Sequence, residues 1–433
     1  MHNIRRALAN HRKPLQMLLL GGALTALGCS EANVTAVAAL PDLPQVGRIR
    51  VQNDEAVLRE RVRVVAEPLT ISPVAPAAAS VMGAPASGAD DSFSLALIAE
   101  VAPPELDGIR LQASHALIQG SRAYVTYNVQ GPVRKGGVDV FDVSRPESVE
   151  LVSSALFTDT DVSAADLQGA VDLYLATATD DPAFTTPAAL EVVELRGGRL
   201  TNSSRRVGLP SYAGTGVRVQ GSTVYVTSGT GGDPVGGLSV FDRTTLELTA
   251  FDPFEDARAV DVKGGLVVAM RGTPGALRLY ASSTGELLRS YASGGANIPE
   301  SKGTVFIAKS CAFYAAGDAG LRVVDLETGN TVVTLPVPDV EGVALENEVT
   351  NGASMSGNLV FIANGGAGLF VARASTDLDA EGGLGCGSGS FGLEVLGQVR
   401  FPGDESANYV ASRGNLLVVA HGLGGLSILK IQR

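Results

Sequence analysis

From about residue 93 onward, the apolar residues of this chain fall in short runs bounded by Gly, Asp, Asn or Pro. That pattern predicts short strands joined by tight turns, with little of the three-to-four-residue period that marks helices. One unit recurs. A strand ending in Gly leads to a strand rich in Val, Tyr and Ala, a Gly-rich turn, a strand of the form Gly-Leu-x-Val-x-Asp, and a fourth strand. The third-strand landmarks start at Gly137, Ala189, Gly237, Ala276, Gly320, Gly368 and Gly425. The matching second strands start at Ala123, Leu173, Val224, Leu266, Ala312, Leu359 and Leu416. Repeats of four strands at about 40–50 residues each are blades, because such a sheet buries its faces only by stacking on its neighbours around a ring. The expected fold is an all-β, seven-bladed β-propeller over residues 93–433.

The two ends of the repeat array complement each other. The last unit stops after its third strand, at Arg433, while an unclaimed strand from Phe93 to Val101 precedes the first unit. If that N-terminal strand fills the fourth position of the last blade, the ring closes and no open sheet edge is left between the ends.

Upstream of the array the pattern changes twice. Residues 1–28 read as an export signal: a basic start (Arg5, Arg6, Arg12, Lys13), an apolar stretch from Leu15 to Leu27, and small residues before Cys29. The apolar stretch is shorter than the roughly 20 residues of a membrane-spanning helix. Residues 29–92 read as a tether, because the stretches from Ser72 to Ser80 and from Gly83 to Gly88 lack periodicity and bulky side chains. A charged segment from Ile49 to Glu67 interrupts it and is expected to form a short helix or an edge strand.

Two resemblances refine this organisation. Ala26-Leu27-Gly28-Cys29 resembles a lipobox, which implies cleavage before Cys29 and its acylation; ordinary cleavage after Ala38 is the alternative, and would release a secreted protein. Ser30 stands where an Asp tends to hold such lipoproteins in the inner membrane, so the resemblance implies the outer membrane, on either its periplasmic or its surface side. The blades resemble LVIVD repeats, most closely at Gly136-Gly137-Val138-Asp139-Val140-Phe141-Asp142-Val143-Ser144-Arg145-Pro146. That likeness implies a bacterial envelope propeller and carries no catalytic constellation. The second and fourth units lack its Asp-Val-Ser segment, which leaves their boundaries loose.

Composition narrows the chemistry. The net charge of −12 and the absence of a basic cluster in the repeats argue against nucleic acid as a partner. Past the leader only His115 and His421 remain, and there is no Trp, so a multi-histidine metal site and the Trp-bearing motifs of sialidase and quinoprotein propellers are excluded for a monomer. Ring closure makes the blades of His115 and His421 neighbours, though a histidine beside a turn is more often locally satisfied than a general base. Cys311 and Cys386 are candidates for a disulfide in an oxidising compartment, or two separate thiols. The repeated Asp142, Asp242 and Asp325 read as turn caps.

The remaining signal is acidic. Asp159, Asp161, Asp252, Glu255, Asp256, Asp339, Glu341, Asp404 and Glu405 fall near blade-to-blade connections, which all emerge at one end of a propeller. They are candidates for a binding face, with Ca²⁺ or a cationic partner as ligand, beside the plain reading of solvated acidic loops. The long segments Pro338–Ser354 and Ser375–Ser390 are further candidates. Together these features point to a monomeric envelope module, requiring no cofactor, that binds a protein or polysaccharide. The alternative is a Ca²⁺-dependent hydrolase or lyase with carboxylates at the channel mouth.

Overall fold

The computed structural model describes residues 47–74, the backbone of 80–81, and 93–433 apart from 230, 232, 299–301, 379–384, 389–390 and 402–405. Cys29, Asp404 and Glu405 lie outside the described residues.

Seven antiparallel meanders form the blades. Their innermost strands are Gln112–Gln119, Thr160–Asp166, Ala213–Gln220, Ala257–Lys263, Val305–Ala308, Gly352–Ser356 and Tyr409–Arg413, for blades 1 to 7 in that order. Ser94–Val101 pairs antiparallel with Leu426–Gln432 and is the fourth strand of blade 7. The two ends of the repeat array are thus joined by a ladder of backbone hydrogen bonds, and the seam has no free edge.

Burial follows position in the blade. Second strands such as Cys311–Ala315, Leu359–Ala363 and Leu416–Ala420 are buried at every residue, whereas the outermost strand Leu287–Ala292 is almost wholly exposed. A second strand is covered on both faces by neighbouring blades, which is why these segments read as unbroken apolar runs rather than alternating ones. The repeated acids cap turns. Asp142 accepts from the Ser144 amide at 2.9 Å, Asp242 from those of Thr244 and Thr245 at 2.8 Å each, and Asp325 from that of Glu327 at 3.2 Å.

Between residues 47 and 74 the stretch read as a tether packs on the blades, and its charged segment, Ile49 to Glu67, holds the short helix and edge strands expected of it. Ile49–Gln52 pairs with Glu150–Phe157 as a fifth strand outside blade 1, Glu55–Arg59 is a short helix, and Val62–Leu69 pairs with Ser94–Val101 outside blade 7. The chain then bridges from Ser72 to Gln398 on blade 6, and Ser80–Val81 pairs with Thr334 and Val333 on blade 5. This segment is a belt on the outer edges of four blades, laid down in the order 1, 7, 6, 5.

Charge explains why it adheres. Glu191 and Asp139 point into the protein from third strands of blades 2 and 1 and have no solvent exposure. Arg48 bonds to Glu191 and also to Asp159 at 3.0 Å, and Arg61 reaches Asp139 at 3.1 Å. Buried carboxylates need such partners. The belt supplies them.

Candidate functional site

In a four-stranded meander, the turn between strands 2 and 3 and the connection to the next blade share one end. The hairpins 1–2 and 3–4 share the other. The connection end holds the described acidic candidates, and most of them are committed to protein donors. Asp161 accepts from the amides of Val129 at 3.1 Å and Lys135 at 3.2 Å, which ties blade 2 to the 2–3 turn of blade 1. Burial pushes its carboxyl up to about 7, against the pull of those two amides. Asp159 is held by Arg48, and Asp256 by Arg258 at 2.8 Å and the Thr273 amide at 2.7 Å. Asp252 binds both Arg278, at 2.7 Å, and the Tyr280 hydroxyl, at 2.6 Å. Glu255 faces Arg271 at 3.4 Å, while Asp339 and Glu341 are exposed on the long connection into blade 6. Among the described residues no three His, Cys, Asp or Glu side chains come together as a metal-sized group.

Apolar side chains at this end were not singled out by the sequence. Ile109, Val133, Tyr212, Val235, Leu345 and Leu423 are exposed on the connections or 2–3 turns of blades 1, 3, 6 and 7, with Leu345 at 75% and Leu423 at 51% exposure. Tyr212 also carries the Arg134 guanidinium over its ring at 4.7 Å. The sequence signal was present, as single apolar residues inside otherwise polar turns, but the face on which each lands depends on knowing which turn it occupies.

The two long segments part company. Residues 336–351 form a connection and belong to this end, whereas 375–392 join the third and fourth strands of blade 6 and lie at the opposite end. There Cys386 is joined by a disulfide to Cys311, in the second strand of blade 5, with Cα atoms 5.8 Å apart.

Inside the ring the inner strands are stitched by polar contacts between blades. Asp166 of blade 2 accepts from the Val219 amide of blade 3 at 2.7 Å. Arg218 of blade 3 donates to Asp261 of blade 4 at 2.7 Å, and Asp261 accepts from the Ile307 amide of blade 5, also at 2.7 Å. Burial raises the Asp166 carboxyl to about 6, with Arg218 opposing the shift. Lys302, on the approach to the inner strand of blade 5, crosses the channel. Its ammonium bonds the backbone carbonyl of Ser114 in blade 1 and, at 3.0 Å, that of Ser163 in blade 2, and it sits 5.4 Å from the centre of the Tyr409 ring. Burial lowers Lys302 to about 7.

Beyond this crossbar lies a cavity of about 240 Å³, bounded by the inner strands of blades 1 and 3 to 7. His115 lines it, its ring tilted at 40° against that of Tyr409 with ring centres 4.4 Å apart. His421 instead packs on Phe401 at 4.1 Å, and neither of its ring nitrogens has a hydrogen-bond partner. The two histidines therefore do not form a hydrogen-bonded pair.

No protein-family profile and no curated protein matches the chain. Solved structures do. The structure of U3-55K aligns with a TM-score of 0.53 at 12% identity over 75% of this chain and 97% of its own. Kuenenia stuttgartiensis hydrazine synthase aligns with a TM-score of 0.51 at 14% identity over 76% and 99%. At such identities the likeness establishes the seven-bladed β-propeller fold and nothing about activity.

Proposed function

We propose that this protein is a cell-envelope lipoprotein, held at the outer membrane through acylated Cys29, whose propeller docks an envelope partner through its connection end. The observation that carries the docking surface is the gathering of six of the eleven exposed large hydrophobic side chains, among the described residues, on the connections and turns of that one end. Exposed apolar side chains set among polar ones suit a protein interface, where aromatic and aliphatic anchors supply most of the affinity. A rigid ring presenting loops is a suitable scaffold for that role. Binding is favoured over Ca²⁺-dependent hydrolysis or elimination because the channel and connection carboxylates are largely engaged by arginines and backbone amides.

Tagged protein incubated with detergent-solubilised envelope should retain a partner protein. Tyr212→Asp combined with Leu345→Asp and Leu423→Asp should abolish retention while leaving the melting temperature unchanged. Retention of polysaccharide in place of protein, lost in the same variant, would shift the reading to a glycan; retention indifferent to the substitutions would overturn it. Anchoring has its own test, since intact mass of membrane-extracted protein should show cleavage before Cys29 plus acyl chains.

A further inference from the structure

Blade 4 has an outer edge built like those the belt occupies, and among the described residues no strand pairs with it. In each covered blade the fourth strand carries a bulge, and the belt attaches at the second paired residue past that bulge. The residue is Ser154 in blade 1, Glu100 in blade 7, Gln398 in blade 6 and Thr334 in blade 5, paired with Gln52, Arg63, Ser72 and Ser80 in turn. Gln398 shows the bonding. Its backbone amide and carbonyl point outward and exchange hydrogen bonds with those of Ser72, at 2.9 Å each. Blade 4 has the same bulge, between Leu287 and Arg289, and Ser290 holds the equivalent place. The Ser293 amide donates inward to the Gly275 carbonyl at 3.0 Å. By the alternation of an antiparallel ladder Tyr291 and Arg289 also bond inward, so Ser290 and Ala292 present their amides and carbonyls to the outside.

The other two edges without an added strand are blunted. Blade 2 sets Arg199 and Arg205 on its outer strand, and blade 3 ends its own in Asp252-Pro253, whose proline has no N–H to offer. Blade 4 has neither device. Leu287 and Leu288 are 39% and 46% exposed, and Ser290 is exposed between Arg289 and Tyr291. Arg289, the one charge on the strand, is turned to the Glu327 carbonyl of blade 5, and the Tyr291 hydroxyl donates to the Leu326 carbonyl at 2.8 Å. An unblunted edge of this kind is a template for a further strand.

The strand is complementary to itself. Two copies related by a two-fold axis through Ser290 run antiparallel, as the belt does on each blade it covers, and set outward-facing backbone groups against outward-facing ones. Ser290 then exchanges both backbone bonds with its counterpart, while Leu288 lies across from Ala292 and Arg289 across from Tyr291, each twice by symmetry. No charge meets its like in this register, whereas an axis one residue earlier would oppose Arg289 to Arg289. We propose that the protein forms a dimer, in place of the monomer expected from its sequence, by pairing Leu287–Ala292 of two copies across a two-fold axis at Ser290. Two blades thereby become one continuous sheet. The contact lies on the outer rim, so the connection end of each copy stays free for its partner.

Sedimentation velocity on the full chain carrying Cys29→Ala, so that no acyl group drives association, tests this. The expected result is a monomer–dimer equilibrium with Kd of about 10 µM or tighter. Ser290→Pro removes an outward amide that the blade itself does not use, and should weaken the dimer by about tenfold or more with the far-ultraviolet circular dichroism unchanged. Ser290→Cys should form an interchain disulfide, because the paired Cα atoms would stand about 5.5 Å apart. Thr249→Cys, exposed on the outer strand of blade 3, should not. A chain that stays monomeric at about 100 µM overturns the proposal, as does a dimer that survives Ser290→Pro or cross-links equally through Thr249→Cys. Slow deuterium exchange of the Ser290 amide in a monomer would show that another segment covers the edge, and the proposal falls with that result too. Tyr212→Asp, Leu345→Asp and Leu423→Asp together should leave the dimer intact, which separates its failure from that of the docking face.

Discussion

Single buried charges carry much of this molecule's design, and their substitution gives sharp expectations. Arg48→Ala leaves Glu191 buried without its cation, and Arg61→Ala does the same to Asp139. Each should cost about 3–5 kcal/mol, the usual penalty for an orphaned buried charge, measured as a fall in denaturation midpoint. Adding Glu191→Gln to Arg48→Ala should recover part of the loss, and failure to do so would mean that Arg48 acts by packing alone. His421 gives a pH signature. Burial holds it at about 3, so between about 6.5 and 3 the unfolded chain takes up a proton that the folded one refuses. Stability from this group is therefore lost as pH falls through that window, and His115, also depressed, adds the same sign. Asp161 and Asp166, raised to about 7 and about 6, act the other way: the folded state holds protons that the unfolded state has released. His421→Phe removes one acid-sensitive contribution and keeps the ring against Phe401, so its melting temperature relative to the parent should rise from pH 7 to pH 4.5. A constant offset across that range would show that His421 does not resist protonation.

Strands of the repeat were legible because each second strand is sandwiched between blades and the third strands of blades 1, 3 and 5 end in a capping Asp, giving runs and landmarks that survive loop insertions. Closure by Ser94–Val101 was legible for the same reason, as a strand with no partner matched to a blade missing one. The belt was not. Ile49–Gln52 and Val62–Leu69 are edge strands whose side chains are mostly solvated, and the value of Arg48 and Arg61 depends on carboxylates more than 70 residues away in sequence. The channel cavity was equally hidden, since Arg218, Lys263 and His115 of its lining and the Lys302 crossbar come from four blades and share no local motif. Cys311 and Cys386 were visible as residues, but their pairing depended on how the 375–392 loop folds back on blade 5. Replacing both by Ser frees a loop of 75 residues in the unfolded chain and should lower stability by about 2–5 kcal/mol. The same parent protein treated with reductant should melt together with the double variant. If reduction leaves the melting temperature where it was, the loop is held by packing around Phe391 and Leu378 instead.

At the scale of the whole ring, closure rests on two layers. The inner layer is the ladder between Ser94–Val101 and Leu426–Gln432, which makes blade 7 from both ends of the repeat array. The outer layer is the belt, which ties the closing strand to the neighbouring blades: one of its strands lies on Ser94–Val101 in blade 7 and another on blade 1, and Arg61 and Arg48 sit on buried acids of blades 1 and 2. The ring is closed without a covalent link inside blade 7, where Ser94–Val101 meets Leu426–Gln432, because every blade-to-blade junction, that from blade 7 into blade 1 included, is spanned by the chain. A chain beginning at residue 93 keeps the ladder and loses the belt, whereas one beginning at residue 47 keeps both. The shorter chain should melt well below the longer one, by the loss of two charge partners and the Val62–Leu69 ladder together. Native-state hydrogen exchange should place the added opening in Ser94–Val101 and Leu426–Gln432, the two strands of the closure, and leave blades 3 and 4 protected as before. Equal melting temperatures, or faster exchange spread evenly over all seven blades, would show that the belt covers the ring without closing it.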